Sequence, residues 1–217
     1  MNAWYVLGLI TGLGTMACFA GAIPLYFRKG TSASAGKRVM FACISICGAA
    51  QVVVFFSASD VAVRWRLAGL FLLALAHTMF WSAVAAHGND RPTVAFATDA
   101  PRRLIRSGPY SFVRHPFYLA YMVAWMAGSV ITASPWLLAT AIVMFFVYRS
   151  AAVAEEQGYL SSDLAEEYRD YQGQTGMFIP KLAASWPIFG QQKEASGQKQ
   201  RLTFSLEEPT AKPSDRR

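Results

Sequence analysis

Charge is what this sequence has least of. Only 15% of its 217 residues are Asp, Glu, Lys or Arg, against about 25% in soluble domains. The shortage is uneven. Residues 1–59 carry four charges, Arg28, Lys29, Lys37 and Arg38, and none of these is acidic, whereas residues 182–217 carry ten. That split argues against a soluble globule with a single core. A hydrophobic content of 54% and a mean hydropathy of +0.28 argue against disorder throughout. Cysteine is scarce too. Cys18, Cys43 and Cys47 all lie in apolar runs, where a thiol behaves as a small hydrophobe. A disulfide-stapled scaffold is therefore excluded, and no C-x-x-C spacing suggests a metal or redox site. No internal repeat is visible.

What the sequence does have is long apolar runs. A helix needs about 20 mainly apolar residues to cross a bilayer, and five segments qualify: 3–27, 39–59, 67–87, 116–133 and 135–151. The first is too long for a signal-peptide core and lacks a basic segment before it. Ser134-Pro135 leaves so short a link between the last two that they form a tight helical hairpin. Gly8 and Gly12 give a G-x-x-x-G spacing that permits close helix approach, within the bundle or between copies. Pro24 predicts a kink near the end of the first helix.

Lys and Arg counts in the loops set the expected orientation. The first loop holds Arg28, Lys29, Lys37 and Arg38, and the third holds Arg91, Arg102, Arg103, Arg106 and Arg114. The second holds only Arg64 and Arg66. Five spans with an outside N-terminus would put every strongly basic loop, and the C-terminus, in the cytoplasm. The net charge of +7 then reflects topology and contact with anionic membrane lipids. No basic-aromatic stripe lies outside the membrane, so nucleic acid is not an expected partner.

After the fifth span the composition changes. In EEQGYLSSDLAEEYRDYQ, residues Leu160, Leu164, Tyr168 and Tyr171 fall at helical spacing. They predict an amphipathic cytoplasmic helix, with Asp163 and Glu166 as its capping box. From about Gln191 onward the chain is polar, which predicts disorder. The expected class is thus all-α: an integral membrane bundle of about five helices with an amphipathic C-terminal helix. Its expected organisation is three membrane helices over 1–87, a catalytic region over 88–182 and a polar tail over 183–217.

The chemistry concentrates in residues 102–119, RRLIRSGPYSFVRHPFYL. Pro116 suits the first turn of a helix. That puts His115 and Arg114 at a helix N-terminus, whose free N–H groups attract anions, with the hydroxyls and rings of Tyr110 and Tyr118 beside them. The same residue types also serve as plain interfacial anchors. Glu155 and Glu156, at the end of the hairpin partner, come to the same membrane face. They read either as a cation-binding pair or as a solvated helix end. His77 and Gln51, each alone within a span, read as packing residues.

GPYSFVRHPFYL, followed about forty residues later by EE, then EEYRDY and FIP, resembles the isoprenylcysteine carboxyl methyltransferase family. These integral membrane enzymes use S-adenosylmethionine and are related to the phospholipid N-methyltransferases. The resemblance covers roughly residues 95–182. It implies that His115, Pro116, Phe117 and Tyr118 line the cofactor site. Tyr110 and the stretch Arg102, Arg103, Leu104 and Ile105 would cover it, and Glu156 with Glu155 would complete it from the opposite side.

It also implies methyl transfer to a lipophilic acceptor, a carboxylate of isoprenylcysteine type first and a phosphatidylethanolamine-type amine as the alternative. One departure bears on that choice. Family members acting on a prenylcysteine carboxylate carry an arginine four residues before the second Glu, where this chain has Ala152. Arg149, about one turn earlier, is either the candidate catalytic cation in its place or a snorkelling interface residue, with Tyr118 beside the reacting atoms. A sterol-type NADPH reductase would have His-Pro-Asn-Tyr, and the run here is His115-Pro116-Phe117-Tyr118. A non-catalytic membrane receptor or transporter subunit is the other alternative, without support from the repeated halves or broken helices that transporters often show.

Overall fold

The computed structural model describes residues 3–28, 34–88, 91, 92, 95 and 103–181. The predicted disordered tail and Arg102 lie outside the described residues. The described chain is an all-α membrane bundle. Its long elements are α1 (Ala3–Tyr26), α2 (Ala35–Ser57), α3 (Val63–His87), α4 (Pro116–Ile131), α5 (Leu138–Leu160) and α6 (Ala165–Gln174). Short 3-10 turns at Gly108–Ser111 and Pro135–Leu137 precede α4 and α5. An isolated parallel bridge joins Val113 and Gly176.

Among the described residues, four stretches are long and apolar enough to span a bilayer: Ala3–Tyr26, Ala35–Ser57, Val63–His87 and Pro135–Leu160. The expected fourth span, 116–133, is instead the sixteen-residue α4, about 24 Å at 1.5 Å per residue. Its end is set locally. Ser129 Oγ donates to the Ser134 carbonyl, Thr132 Oγ1 donates to Gly128, and Ala133 turns the chain with a positive φ of 48°. Pro135 then opens the next turn.

Several helix ends differ from the sequence reading. α2 begins at Ala35 because Ser34 caps it, its hydroxyl accepting from the Lys37 N–H at 3.2 Å. α3 begins before Leu67 and so takes in Arg66. Arg66 is fully buried, donating to the carbonyls of Ala58 (2.8 Å) and Ser59 (2.9 Å), and its guanidinium lies 5.4 Å from the Tyr5 ring centre. It thus closes the α2–α3 corner, where sequence counting had treated it as a loop charge. α5 continues to Leu160, nine residues beyond the expected Ala151, so Glu155 and Glu156 sit inside a helix and not at its end. The Asp163–Glu166 capping box does not form: Leu164 occupies the cap position with no side-chain bond.

Small residues let the helices close on one another. A Cβ at Gly69 would lie 2.2 Å from the Ile131 side chain, and one at Gly12 would lie 2.5 Å from the Phe55 ring. Gly8 likewise faces Arg66 and Ile131, so the G-x-x-x-G pair serves packing within the bundle. His77 and Gln51 also pack inside. His77 Nδ1 lies 3.0 Å from the Leu73 carbonyl, and Gln51 Nε2 donates to the Trp125 carbonyl (3.0 Å) and to Thr140 (3.2 Å).

Candidate active site

Between α1, α2, α4 and α5 lies a cavity of about 800 Å³, within the usual size of a small-molecule site. One end is polar. Pro116 starts α4, as its missing N–H and fixed φ favour, which leaves His115 at the cap position. The turn before it is held by backbone bonds from the strap after α6: Arg114 N–H donates to the Gly176 carbonyl (2.8 Å) and His115 N–H to Met177 (3.2 Å). Arg114 also donates through Nη1 to the Thr175 carbonyl. A Cβ at Gly176 would fall 1.7 Å from the Ile179 carbonyl oxygen, so only glycine fits this strap.

The two glutamates of α5 play different parts. Glu156 is buried. Its Oε1 accepts from Arg114 Nε at 2.8 Å and lies 3.0 Å from His115 Nε2, while Oε2 accepts from Gln172 of α6 at 2.8 Å. It does not line the cavity. Glu155 does, accepting from the Tyr118 hydroxyl and lying 3.5 Å from His115 Nδ1. The His115 ring therefore bridges two carboxylates. Burial alone would push the imidazole down, but its bonds to Glu155 and Glu156 outweigh that and hold it above its ordinary value. Burial first, then the Glu155 charge, keeps the Tyr110 phenol protonated. That phenol lies 2.9 Å from His87 Nε2, and the Tyr110 carbonyl accepts from Tyr171 at 2.6 Å.

Of the residues singled out in the sequence, Arg103, Leu104, Ile105, Tyr110, His115, Pro116, Phe117, Tyr118 and Glu155 all line the cavity. Glu156 stands behind it. Arg149 is exposed on α5 and does not border the cavity, so the structure does not bring it to Tyr118. Ala152 is completely buried.

Three features escaped the sequence reading. Gln172 falls four residues after Tyr168, on the buried stripe of α6, and that spacing could have found it. Arg114 was read as a lure for an anion, but its guanidinium is bound to Glu156. The cavity's apolar arm, from Phe27 and Met40 down to Gly12, Gln51 and Phe55, comes from helices whose hydrophobic patterns carry no site signal.

Rings line this arm below the polar end. Tyr118 stacks on Tyr148 with centres 5.5 Å apart, Tyr148 meets Tyr121 at 5.5 Å, and Trp125 Nε1 donates to the Tyr148 hydroxyl at 3.1 Å. A carboxylate at the polar end of the cavity suits a ligand that carries positive charge. Arg28, Lys37, Arg91 and Arg103 border the same cavity; they come from the α1 end, the α2 start and the segment between α3 and α4.

Residues 65–167 match the model of the phospholipid methyltransferase family. Methanethiol S-methyltransferase 1 of Bradyrhizobium diazoefficiens is 38% identical over 71 residues, 33% of this chain and 24% of that protein. A methanethiol S-methyltransferase of a Pseudomonas species is 30% identical over 123 residues, 56% of this chain and 45% of that protein. A nickel-cobalt-cadmium resistance protein of Alcaligenes xylosoxydans is 32% identical over 80 residues, 37% of each chain. The chain thus spans less than half the length of these relatives. Among solved structures, the eukaryotic intramembrane Ras methyltransferase ICMT (isoprenylcysteine carboxyl methyltransferase) shares the fold. Its TM-score is 0.54 at 21% identity, over 64% of this chain and 53% of that one.

Proposed function

We propose that the chain is a member of the membrane family that unites isoprenylcysteine carboxyl and phospholipid methyltransferases, and that it transfers a methyl group from S-adenosylmethionine to a membrane-dissolved acceptor. The observation that carries this reading is one cavity with two characters: a polar end built on Glu155, His115 and Tyr118, and an apolar arm between α1, α2 and α4. The donor set fits the cofactor. Glu155 would accept from its ammonium group, and cavity-lining cations such as Arg103 would meet its carboxylate.

When bound, the cofactor supplies a methyl carbon already activated by the sulfonium. The protein's own part is therefore alignment and exclusion of water. His115 and Tyr118 hold the Glu155 carboxylate in place. Glu156, bonded to Arg114 and Gln172, fixes the α4 start against α5 and α6. Tyr110 and the 103–105 stretch border the same end.

On the acceptor, the carboxylate reading needs a cation near the reacting atoms. Arg149 faces away and Ala152 offers none. Placement of Glu155 beside Tyr118 favours a nucleophile that carries no negative charge before attack and develops positive charge after it, an amine, over a carboxylate. The basic residues along the cavity fit the positive-inside pattern, which supports a cytoplasmic polar end.

Purified protein incubated with methyl-labelled cofactor and membrane lipid extract should yield a labelled lipid-soluble product that survives alkali. An alkali-labile product restores the carboxylate ester. Folded protein that neither binds cofactor at millimolar concentration nor transfers label sinks the methyltransferase reading itself.

A further inference from the structure

Among the described residues, the cavity's lower limit is sharply built. Four helices each place one residue toward the polar end and another at depth: Ile23 and Gly12 on α1, Lys37 and Phe55 on α2, His87 and Leu73 on α3, Pro116 and Gly128 on α4. From Tyr118, beside the reacting end, to Gly128 is ten residues of α4, about 15 Å at 1.5 Å per residue. That is half of a hydrocarbon core about 30 Å thick, or one leaflet.

Below this depth the bundle is solid. The Phe55 ring lies so close to Gly12 that a Cβ there would be 2.5 Å from it, and Phe55 packs with Leu73, Ala127 and Ile131. Gln51 lies against Gly128 and is held by the Trp125 carbonyl and Thr140. Arg66 pins the end of α2 to the corner beyond, and the Tyr5 hydroxyl bonds the Phe56 carbonyl at 3.1 Å. The floor has no room to drop.

We propose that Phe55, seated on Gly12, is the chain-length determinant of this protein: it stops the apolar chain of the acceptor about one leaflet below the reacting end. The proposal rests on the reading of a lipophilic acceptor. An extended polypeptide covers about 3.5 Å per three bonds, so about 15 Å corresponds to roughly a dozen bonds of an extended chain. A bilayer is as apolar as the cavity, and so burial of extra carbons in the cavity gives no net selection. Selection comes from fit: a shorter chain leaves a void, and a longer one presses on Phe55, which overpacking data place at about tenfold or more in affinity.

The test uses S-(n-alkyl)cysteines of eight to eighteen carbons as probes, competed against a labelled twelve-carbon member on the full chain in nanodiscs. The parent protein should bind best near twelve carbons and lose about tenfold by sixteen. Phe55→Leu and Phe55→Ala should move the break to longer chains. Thr15→Leu, which adds bulk one turn above Gly12, should move it to shorter ones, and so serves if the Phe55 variants fail to fold. Affinity that is flat with length, absent at every length, or broken at the same length in folded variants overturns the proposal. Label transfer from the cofactor to membrane lipid is scored separately: if it persists while the break is absent, only the chain-length determinant fails. If it is absent, the methyltransferase reading fails with it.

Discussion

Neutralising one carboxylate at a time separates the two glutamates of α5. Glu155 lines the cavity and its side chain is 31% exposed, while Glu156 and its partner Arg114 are 9% and 10% exposed. In Glu155→Gln, the protein loses a charged acceptor that faces the ligand. A hydrogen bond to a charged group contributes about 1.5–3 kcal/mol, so cofactor affinity should fall by roughly 10- to 150-fold with little change in thermal midpoint. In Glu156→Gln, Arg114 stays buried without its counter-charge, and breaking a buried pair costs about 3–5 kcal/mol. At about 2–4 °C per kcal/mol for a region of this size, the midpoint should drop by roughly 6–20 °C. Calorimetric titration with S-adenosylmethionine and thermal unfolding in the same detergent read both quantities. If Glu156→Gln keeps its midpoint and loses cofactor affinity as far as Glu155→Gln, the division into ligand and anchor is wrong.

Tyr118→Phe removes one hydroxyl bonded to Glu155 and should weaken cofactor binding by about fivefold, the equivalent of about 1 kcal/mol; an unchanged titration would refute this. Arg149→Ala, at an exposed site away from the cavity, should alter neither cofactor affinity nor the acceptor KM, and a raised acceptor KM would return Arg149 to the site. Gly176→Ala should loosen the strap that bonds Arg114 and His115, and protease cleavage after α6 should become faster; unchanged cleavage contradicts the clash. Stability should also follow pH through His115. Its imidazole is raised by Glu155 and Glu156, with the Arg114 guanidinium the opposing charge nearby. The contribution is therefore fully present below the ordinary imidazole value near 6.5 and fades as pH rises through the raised one. The part of the midpoint's fall above pH 6.5 that comes from this imidazole should vanish in His115→Asn, and a fall of the same size in that variant assigns it elsewhere.

Much of this architecture was legible in the residues. The apolar runs located α1, α2, α3 and α5 because length and lack of charge are what a bilayer selects. The cluster at 103–118 was legible because Pro116 must start a helix and GPY must turn. Legibility stopped where packing decides. Nothing local marks α4 as ending at Ile131, since the cause is a set of side-chain bonds across residues 128–134. Arg66 looked like a loop charge because its acceptors are carbonyls seven and eight residues back, across a corner. Arg149 looked useful by spacing along α5, but its direction depends on which face of α5 meets α2 and α4. The apolar arm was invisible for the same reason, being a gap between faces and not a motif.

The adjacency of Glu155 and Glu156 is itself the reason they divide the labour. Consecutive helical residues point about 100° apart, so two carboxylates in a row face different sides of α5. With Glu155 turned toward Tyr118, Glu156 must turn toward whatever packs on the next face of α5. There it meets Arg114 from the turn before α4 and Gln172 from α6. His115 stands between the two directions and touches both carboxylates. Removing the inward charge therefore disturbs the ligand, whereas removing the outward one disturbs the joint of three elements that holds the ligand site. A carboxylate pair placed for two cations on one face would need a spacing of three or four residues; this pair, at a spacing of one, is built to join a site to its frame.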